Sequence, residues 1–142
     1  MNLSMYEQLE KVDKEKTRAK KIALLREYAQ SAPMKIILDL TFNPKWIWLL
    51  PAGAPPYSPA AKEADVHHVL KHDARRLQYF INTPEGKAMK TLRRETMFIE
   101  MLESVDRFDA KLLVSIKDKK MPFKSITKKL VQEALPEATE GW

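Results

Sequence analysis

A dense run of lysines late in the chain is the sequence feature whose residue types and spacing best suit a defined chemistry. The segment KDKKMPFKSITKKL, residues 117–130, contains six lysines and one aspartate. Ammonium groups at this density are the groups that proteins use to contact a phosphate backbone. Pro122 and Phe123 divide the run, so three lysines leave one predicted helix and three surround the start of the next. We therefore interpret the run as a candidate binding surface for a polyanion.

Two hydroxyl groups and two arginines complete the predicted surface. Ser125 and Thr127 lie where the next helix should begin, and the free N–H groups of a helix start favour an anion. The loop exceeds the 3–4 residues of a helix-turn-helix, so we expect DNA or RNA binding with low sequence specificity. The predicted nucleic-acid contacts are Lys117, Lys119, Lys120, Lys124, Ser125, Thr127, Lys128, Lys129, Arg93 and Arg94. The alternative is a solvated lysine-rich edge whose aliphatic stems cover the core, and the residues alone leave both interpretations open.

The charge of the chain is concentrated rather than evenly spread. The 142 residues include 25 basic and 19 acidic groups, which gives a net charge of +6. Residues 111–130 alone hold seven basic groups and one acidic group, and residues 11–30 hold seven and three. Such local excesses favour polyanionic partners over neutral ones.

Other residues that could do chemistry support catalysis or metal binding less well. His68 and His72 have the i, i+4 spacing of two ligands on one helix face, and His67 is adjacent, but Lys71 and Arg75 are beside them. There is no cysteine, and the three glycines are too scattered for a phosphate loop. The densest acidic group is interleaved with arginines, as on a solvated helix face. We expect no enzyme activity, no metal site and no cofactor.

Helical periodicity recurs along the chain, and the predicted fold is all-α: a single compact domain over residues 1–142. The predicted helices run from the Ser4 cap to about Val12, from Lys16 to Gln30, from Pro33 to Asn43, from about Ala61 or Asp65 to Asn82, from about Lys87 to Val105, from the Asp106 cap to Ile116, and from the Ser125 cap to Leu135. The residues Thr83 to Gly86 are predicted to form a turn.

The helix predicted from Lys87 to Val105 has the strongest apolar pattern. Its predicted buried stripe is Met89, Leu92, Thr96, Ile99 and Leu102, broadened by Met97, Phe98, Met101 and Val105. We expect it to be the central helix of the domain.

A Pro-rich insertion at about 43–60 interrupts the helical pattern. Its run WIWLL is broken by Pro51 after five apolar residues, whereas a membrane span needs about 20, so we expect no membrane segment. We predict an ordered loop packed on the helices, with a hinge as the alternative. If the protein acts through a protein partner instead, the predicted contacts are Trp46, Trp48, Pro55, Pro56, Tyr57 and Trp142.

Several stretches of the chain resemble a family of small uncharacterised proteins of T4-like myoviruses, including cyanophages. They are MNLSMYEQLEKV, LLPAGAPPYSP, RRETMFIEMLES and, most specifically, KDKKMPFKSITKKLVQEALP. The resemblance implies a phage protein made in the host cytoplasm, with the virion as an alternative location. It implies no established activity and no functional residues. We therefore expect a non-catalytic accessory protein that binds nucleic acid in phage replication or transcription, or alternatively a protein–protein adaptor or assembly component of the particle.

Overall fold

The computed structural model describes residues 3–58 and 74–142, which form seven α-helices and one 3₁₀ helix. These residues contain no β-strand, only an isolated bridge between Trp48 and Ile81. The α-helices are α1 (Met5–Lys14), α2 (Arg18–Tyr28), α3 (Ala32–Phe42), α4 (Pro84–Ala88), α5 (Thr91–Ser104), α6 (Arg107–Lys117) and α7 (Lys128–Ala134), and the 3₁₀ helix is Ala74–Phe80. The prediction of a compact all-α fold is confirmed, and the division of the whole chain into one domain stays a prediction.

Local capping fixes the starts of two helices where the sequence predicts them. The Ser4 hydroxyl accepts a hydrogen bond from the Glu7 N–H (3.1 Å), and the Glu7 carboxylate accepts one from the Ser4 N–H (3.2 Å). This reciprocal pair is a capping box, which satisfies two N–H groups at the helix start. The Asp106 carboxylate caps α6 in the same role, accepting from the N–H groups of Phe108 and Asp109. The chain becomes extended at Glu15, so α1 and α2 are separate helices.

The stripe predicted for the helix before Val105 is correct for its buried residues Phe98, Met101, Leu102 and Val105 and wrong for Leu92, and the predicted turn is a helix. Leu92 is 76% exposed, whereas Phe98, Met101 and Leu102 are buried on a face that also contains Arg94. The chain is extended at Met89 and Lys90, so α5 begins only at Thr91. The residues expected to form a turn cap and begin α4 instead, because the Thr83 hydroxyl accepts from the Gly86 N–H.

The central helix is α6 rather than α5. It packs against α1, α3 and α5, whereas α5 packs against α6 and the 3₁₀ helix. A second group of contacts joins α2 to α1 on one side and to α7 on the other. One core cluster includes apolar residues from α1, α2, α3, α5, α6 and α7. The described end of the helix predicted up to Asn82 is the 3₁₀ helix, and the three histidines lie outside the described residues.

The Pro-rich segment is tied to the helices as far as the structure describes it. The indole N–H of Trp46 donates to Asp39 Oδ2 (2.6 Å), and that of Trp48 donates to the Leu40 carbonyl (3.2 Å). Both rings are partly buried against the core. Further along, the Gly53 N–H donates to Asp118 Oδ2 (3.2 Å) and the Ser58 N–H to Glu103 Oε2 (2.8 Å). The prediction of an ordered loop fits these contacts.

Candidate nucleic-acid interface

Lys117 is a structural residue of the interior, so its predicted role in phosphate contact is wrong. Its side chain is 1% exposed, and its Nζ donates to the Pro51 carbonyl (2.7 Å) and to Asp118 Oδ1 (2.7 Å). The ammonium thus ties the end of α6 to the Pro-rich segment. A buried ammonium is tolerated only when it is paired in this way.

The ammonium group of Lys119 binds the C-terminal end of another helix, α3. Its Nζ donates to the carbonyl oxygens of Leu40 (3.1 Å) and Asn43 (2.8 Å), at the C-terminal end of α3, where a positive charge is favourable. Burial lowers the pKa of Lys119, Asp39 acts in the opposite direction, and the nearby positive charge of Lys128 lowers the pKa further. The sequence could not predict this pairing, because α3 lies about 80 residues earlier in the chain.

The backbone of Lys119 also ends α6 in a conformation that usually requires glycine. Its φ is 58°, in the left-handed region. The Lys119 N–H donates to the Ile116 carbonyl (2.8 Å), and the Lys120 N–H donates to the Ser115 carbonyl (3.0 Å). These two hydrogen bonds form a Schellman motif. The loop between α6 and α7, residues 118–127, is hereafter called the lysine loop.

Ser125 binds within the protein and Thr127 caps α7, so the anion contact of the exposed Thr127 stays a prediction. The helix begins at Lys128 with Thr127 as its cap, because the Thr127 hydroxyl accepts from the Leu130 N–H (3.2 Å). Ser125 instead donates its N–H to Asp13 Oδ1 (3.2 Å), and its hydroxyl bonds to the same carboxylate. The predicted Ser125 cap is therefore wrong, and the hydroxyl of Thr127 already accepts a hydrogen bond.

Four of the predicted lysines remain available on the surface. Lys120, Lys124 and Lys129 are exposed and Lys128 is half-buried. Within residues 3–58 and 74–142, none of the four makes a side-chain hydrogen bond or ion pair. These four residues are hereafter called the free lysines.

The fold brings the first basic segment of the chain next to the lysine loop. The Arg18 guanidinium pairs with Glu133 of α7 (2.8 Å), and Arg26 donates to the Ala134 carbonyl (3.0 Å). Lys21 Nζ lies 3.2 Å from the Ser125 hydroxyl and 2.6 Å from the Asp13 carbonyl. The two segments of highest positive charge, about 100 residues apart in sequence, are thus neighbours in space. In the sequence, the concentration of positive charge in these two segments was the sole indication that they belong to one surface.

Of the two arginines predicted to extend the nucleic-acid surface, Arg94 is buried, so the prediction for it is wrong. Arg94 is 6% exposed and donates to the carbonyl oxygens of Gly86 (2.7 Å), Met89 (2.8 Å) and Leu49 (3.4 Å). It therefore joins α4 and α5 to the Pro-rich segment, and its Nε lacks a hydrogen-bond partner among the described residues. Arg93 is exposed and stays a predicted contact.

The predicted protein-contact surface is partly buried. Trp142 packs against Phe42, with ring centroids 6.4 Å apart, and Tyr57 packs on the core. Pro55 is half-buried and Pro56 is exposed. Between the two tryptophans, Ile47 is 60% exposed, a feature that the sequence did not single out.

A groove joins the two surfaces that the sequence predicted separately. It is an open groove of about 700 Å³, lined by Trp46, Ile47 and Trp48 and by residues of the α6 end that include Lys119 and Lys120. We call it the Trp–Lys groove. Lys45 Nζ lies 4.7 Å from the centroid of the Trp46 ring, within the range of a cation–π contact.

The described ranges offer neither a metal centre nor a membrane span. No group of three or more His, Asp or Glu side chains in them could hold a metal ion. No helix there has the length and apolar character needed to cross a bilayer.

Comparison with known proteins places the chain in a family but not in a functional class. No curated protein and no solved structure matches it. A family of unknown function, DUF6433, matches residues 8–122 and therefore covers the helices from within α1 to the end of α6, together with the start of the lysine loop. The chain belongs to this family of unknown function.

Proposed function

We propose that this protein is a non-catalytic accessory module that binds the phosphate backbone of nucleic acid through the free lysines. The observation that carries the proposal is that the side chains of Lys120, Lys124, Lys128 and Lys129 make no hydrogen bond or ion pair within the described structure and lie near the first basic segment of the chain. Backbone binding of this kind has low sequence specificity, because phosphates carry no base information. The resemblance to proteins of T4-like myoviruses supports a role in phage replication or transcription in the host cytoplasm.

The spatial arrangement supports a polyanion more than a solvated edge. Lysines that only cover the core would lie along apolar surface, whereas Lys120, Lys124 and Lys129 are exposed. The Lys128 charge is close enough to Lys119 to lower the pKa of Lys119. Asp39 offsets part of this repulsion at Lys119, and a bound phosphate would relieve more of it.

A salt titration of binding tests the proposal. We would measure fluorescence anisotropy of a labelled duplex and a labelled single strand from about 50 to about 200 mM salt. If four phosphates are neutralised on a duplex, the logarithmic slope is about −3.6, and the affinity falls about a hundredfold across this range. Absence of binding at about 50 mM salt contradicts the proposal.

A charge-matched pair of variants assigns the slope to this surface. Lys124→Ala/Lys129→Ala removes two free lysines and should reduce the magnitude of the duplex slope by about 1.8. Lys87→Ala/Lys90→Ala removes two exposed lysines near the start of α5 and gives the same net charge. This control should retain the wild-type slope, and equal losses in the two variants would show nonspecific attraction to net charge.

A second candidate function is a protein–protein adaptor or an assembly component of the phage particle. The observation that favours it is Ile47, which is 60% exposed at the edge of the Trp–Lys groove. Ile47 lines this groove together with Trp46 and Trp48, and a contiguous apolar patch of this kind is typical of sites that bind another protein. Co-purification from infected cells with the wild type and with Ile47→Ser tests this function, since the adaptor requires a partner that the variant loses.

A further inference from the structure

We propose that the Trp–Lys groove binds an unpaired nucleobase of a single strand, stacked on Trp46, while the adjacent phosphates contact Lys120 and Lys45. This inference rests on the proposed function and narrows its ligand from nucleic acid in general to single strands. It joins the aromatic and cationic surfaces, which the sequence assigned to two different functions, into one site.

The aromatic side of the groove offers a ring surface that is reachable from solvent. Trp46 is anchored through its indole N–H to Asp39 Oδ2 (2.6 Å), so its ring is held in place. The exposed side chain of Lys45 already reaches that ring, with its Nζ 4.7 Å from the centroid. Lys45 lies between two groove residues in sequence, Pro44 and Trp46, so its ammonium can move from the ring to the phosphate next to a stacked base. Fixed aromatic rings flanked by cations are the usual means of binding single strands.

The Asp118 carboxylate does not cancel the positive charge on the lysine side of the groove. Asp118 lines the groove, but it accepts hydrogen bonds from Lys117 Nζ and from the Gly53 N–H. Burial alone would raise the pKa of Asp118, yet these hydrogen bonds and the charges of Lys117 and Lys120 hold it below the ordinary value. The buried Lys117 thus balances the carboxylate, and because Lys119 donates to the end of α3, Lys120 remains as the positive charge toward a phosphate.

The dimensions and chemistry of the groove suit a base better than a duplex. Its volume of about 700 Å³ lies in the range of small-ligand sites. Within a duplex, away from its two ends, the π-faces of the bases are covered by their neighbours, so stacking on Trp46 requires an unpaired base. Because every base has a π-face, the site should accept different sequences.

Three probes of equal length separate stacking from phosphate contact: a labelled single strand, an abasic strand with the same phosphates, and a blunt duplex. We expect the single strand to bind about tenfold more tightly than the abasic strand, the effect of stacking one base. Ile47→Glu places a carboxylate in the groove without altering the core and should abolish this difference. Leu92→Glu makes the same change at a residue that is 76% exposed and outside the groove, and should preserve it. Trp46→Leu, compared with Trp46→Phe, then tests the ring itself.

The possible results distinguish this inference from the proposed function. Equal affinity for the single and abasic strands, with the salt slope retained, overturns the groove inference and leaves phosphate binding intact. Absence of binding to all three probes overturns both. If no probe binds and the wild type, but not Ile47→Glu, retains a protein partner on co-purification, the groove is a protein site and both proposals are wrong.

Discussion

The last turn of α6 and the entrance of α7 carry lysines at similar density, and the fold uses them in opposite ways. At the end of α6, Lys117 and Lys119 donate to carbonyl oxygens of the Pro-rich segment and of α3. At the entrance of α7, Lys124, Lys128 and Lys129 make no such contact within the described structure. A dense run of cations in a sequence can therefore include both cations that hold the fold together and cations that remain for a ligand.

Removing the buried ammonium of Lys117 should have the largest effect on the free energy of unfolding. Lys117→Met keeps the aliphatic stem but leaves the Pro51 carbonyl and the Asp118 carboxylate without their donor. We expect the free energy of unfolding to fall by about 3 kcal/mol. Urea denaturation followed by circular dichroism measures the change. Lys124→Met is the matched control at the α7 entrance and should change the free energy of unfolding by less than about 0.5 kcal/mol. Equal losses in the two variants would contradict the proposed difference between the two regions.

The neighbouring arginines provide the same contrast outside the lysine loop. Arg94→Met removes the donor to three carbonyl oxygens, and we expect a loss of about 2 kcal/mol in the free energy of unfolding. Arg93→Met makes the same change one residue earlier at an exposed position and should be nearly neutral in stability. Chemical denaturation of both variants checks the pair. A stable Arg94→Met protein would mean that this buried guanidinium contributes nothing to the packing of the Pro-rich segment.

The left-handed conformation of Lys119 predicts a smaller effect of known sign. Lys119→Gly and Lys119→Ala both lose the ammonium contacts with the end of α3, so their difference reports the backbone alone. Because φ is 58°, alanine should be less stable than glycine by about 1 kcal/mol. Thermal and urea unfolding of the two variants measure the difference. Alanine equal to glycine would show that α6 does not end in the Schellman motif.

The smallest expected effect is a pH dependence from Asp118. Its folded pKa lies below its usual value of about 3.9, so its stabilising contribution is present above that pH and is lost as the pH falls through the folded pKa. Asp118→Asn removes the charge at every pH. The stability difference between the wild type and this variant should therefore shrink as the pH is lowered from about 6 to about 2. A difference that is constant over this range contradicts the ion pair with Lys117.

Features of the fold that depend on neighbouring residues in sequence were predictable. Ser4 and Asp106 cap helices where the pattern indicates, because a cap requires only the next few N–H groups. Apolar periodicity predicted the buried Phe98, Met101 and Leu102 of α5 but not the buried Arg94, because an apolar pattern excludes a charged residue. The same periodicity wrongly included the exposed Leu92 in the buried stripe.

The candidate site was only partly predictable for a different reason. Which lysines are available depends on carbonyl oxygens that are distant in sequence, such as Pro51 for Lys117 and Leu40 for Lys119. No local signal reveals those partners. Ser125 likewise binds Asp13, which is 112 residues away. The sequence could locate the concentration of charge, but only the tertiary contacts divide it between structure and binding.

Lysine footprinting tests the central claim most directly. The protein is treated with an amine-acetylating reagent, with and without a saturating oligonucleotide at low salt, and modification at each lysine is read by mass spectrometry. We predict that Lys120, Lys124, Lys128 and Lys129 react in the free protein and are protected in the complex, that Lys87 and Lys90 react in both, and that Lys117 reacts in neither. Unchanged reactivity of the four free lysines in the complex, or a Lys117 as reactive as Lys124, would contradict the account.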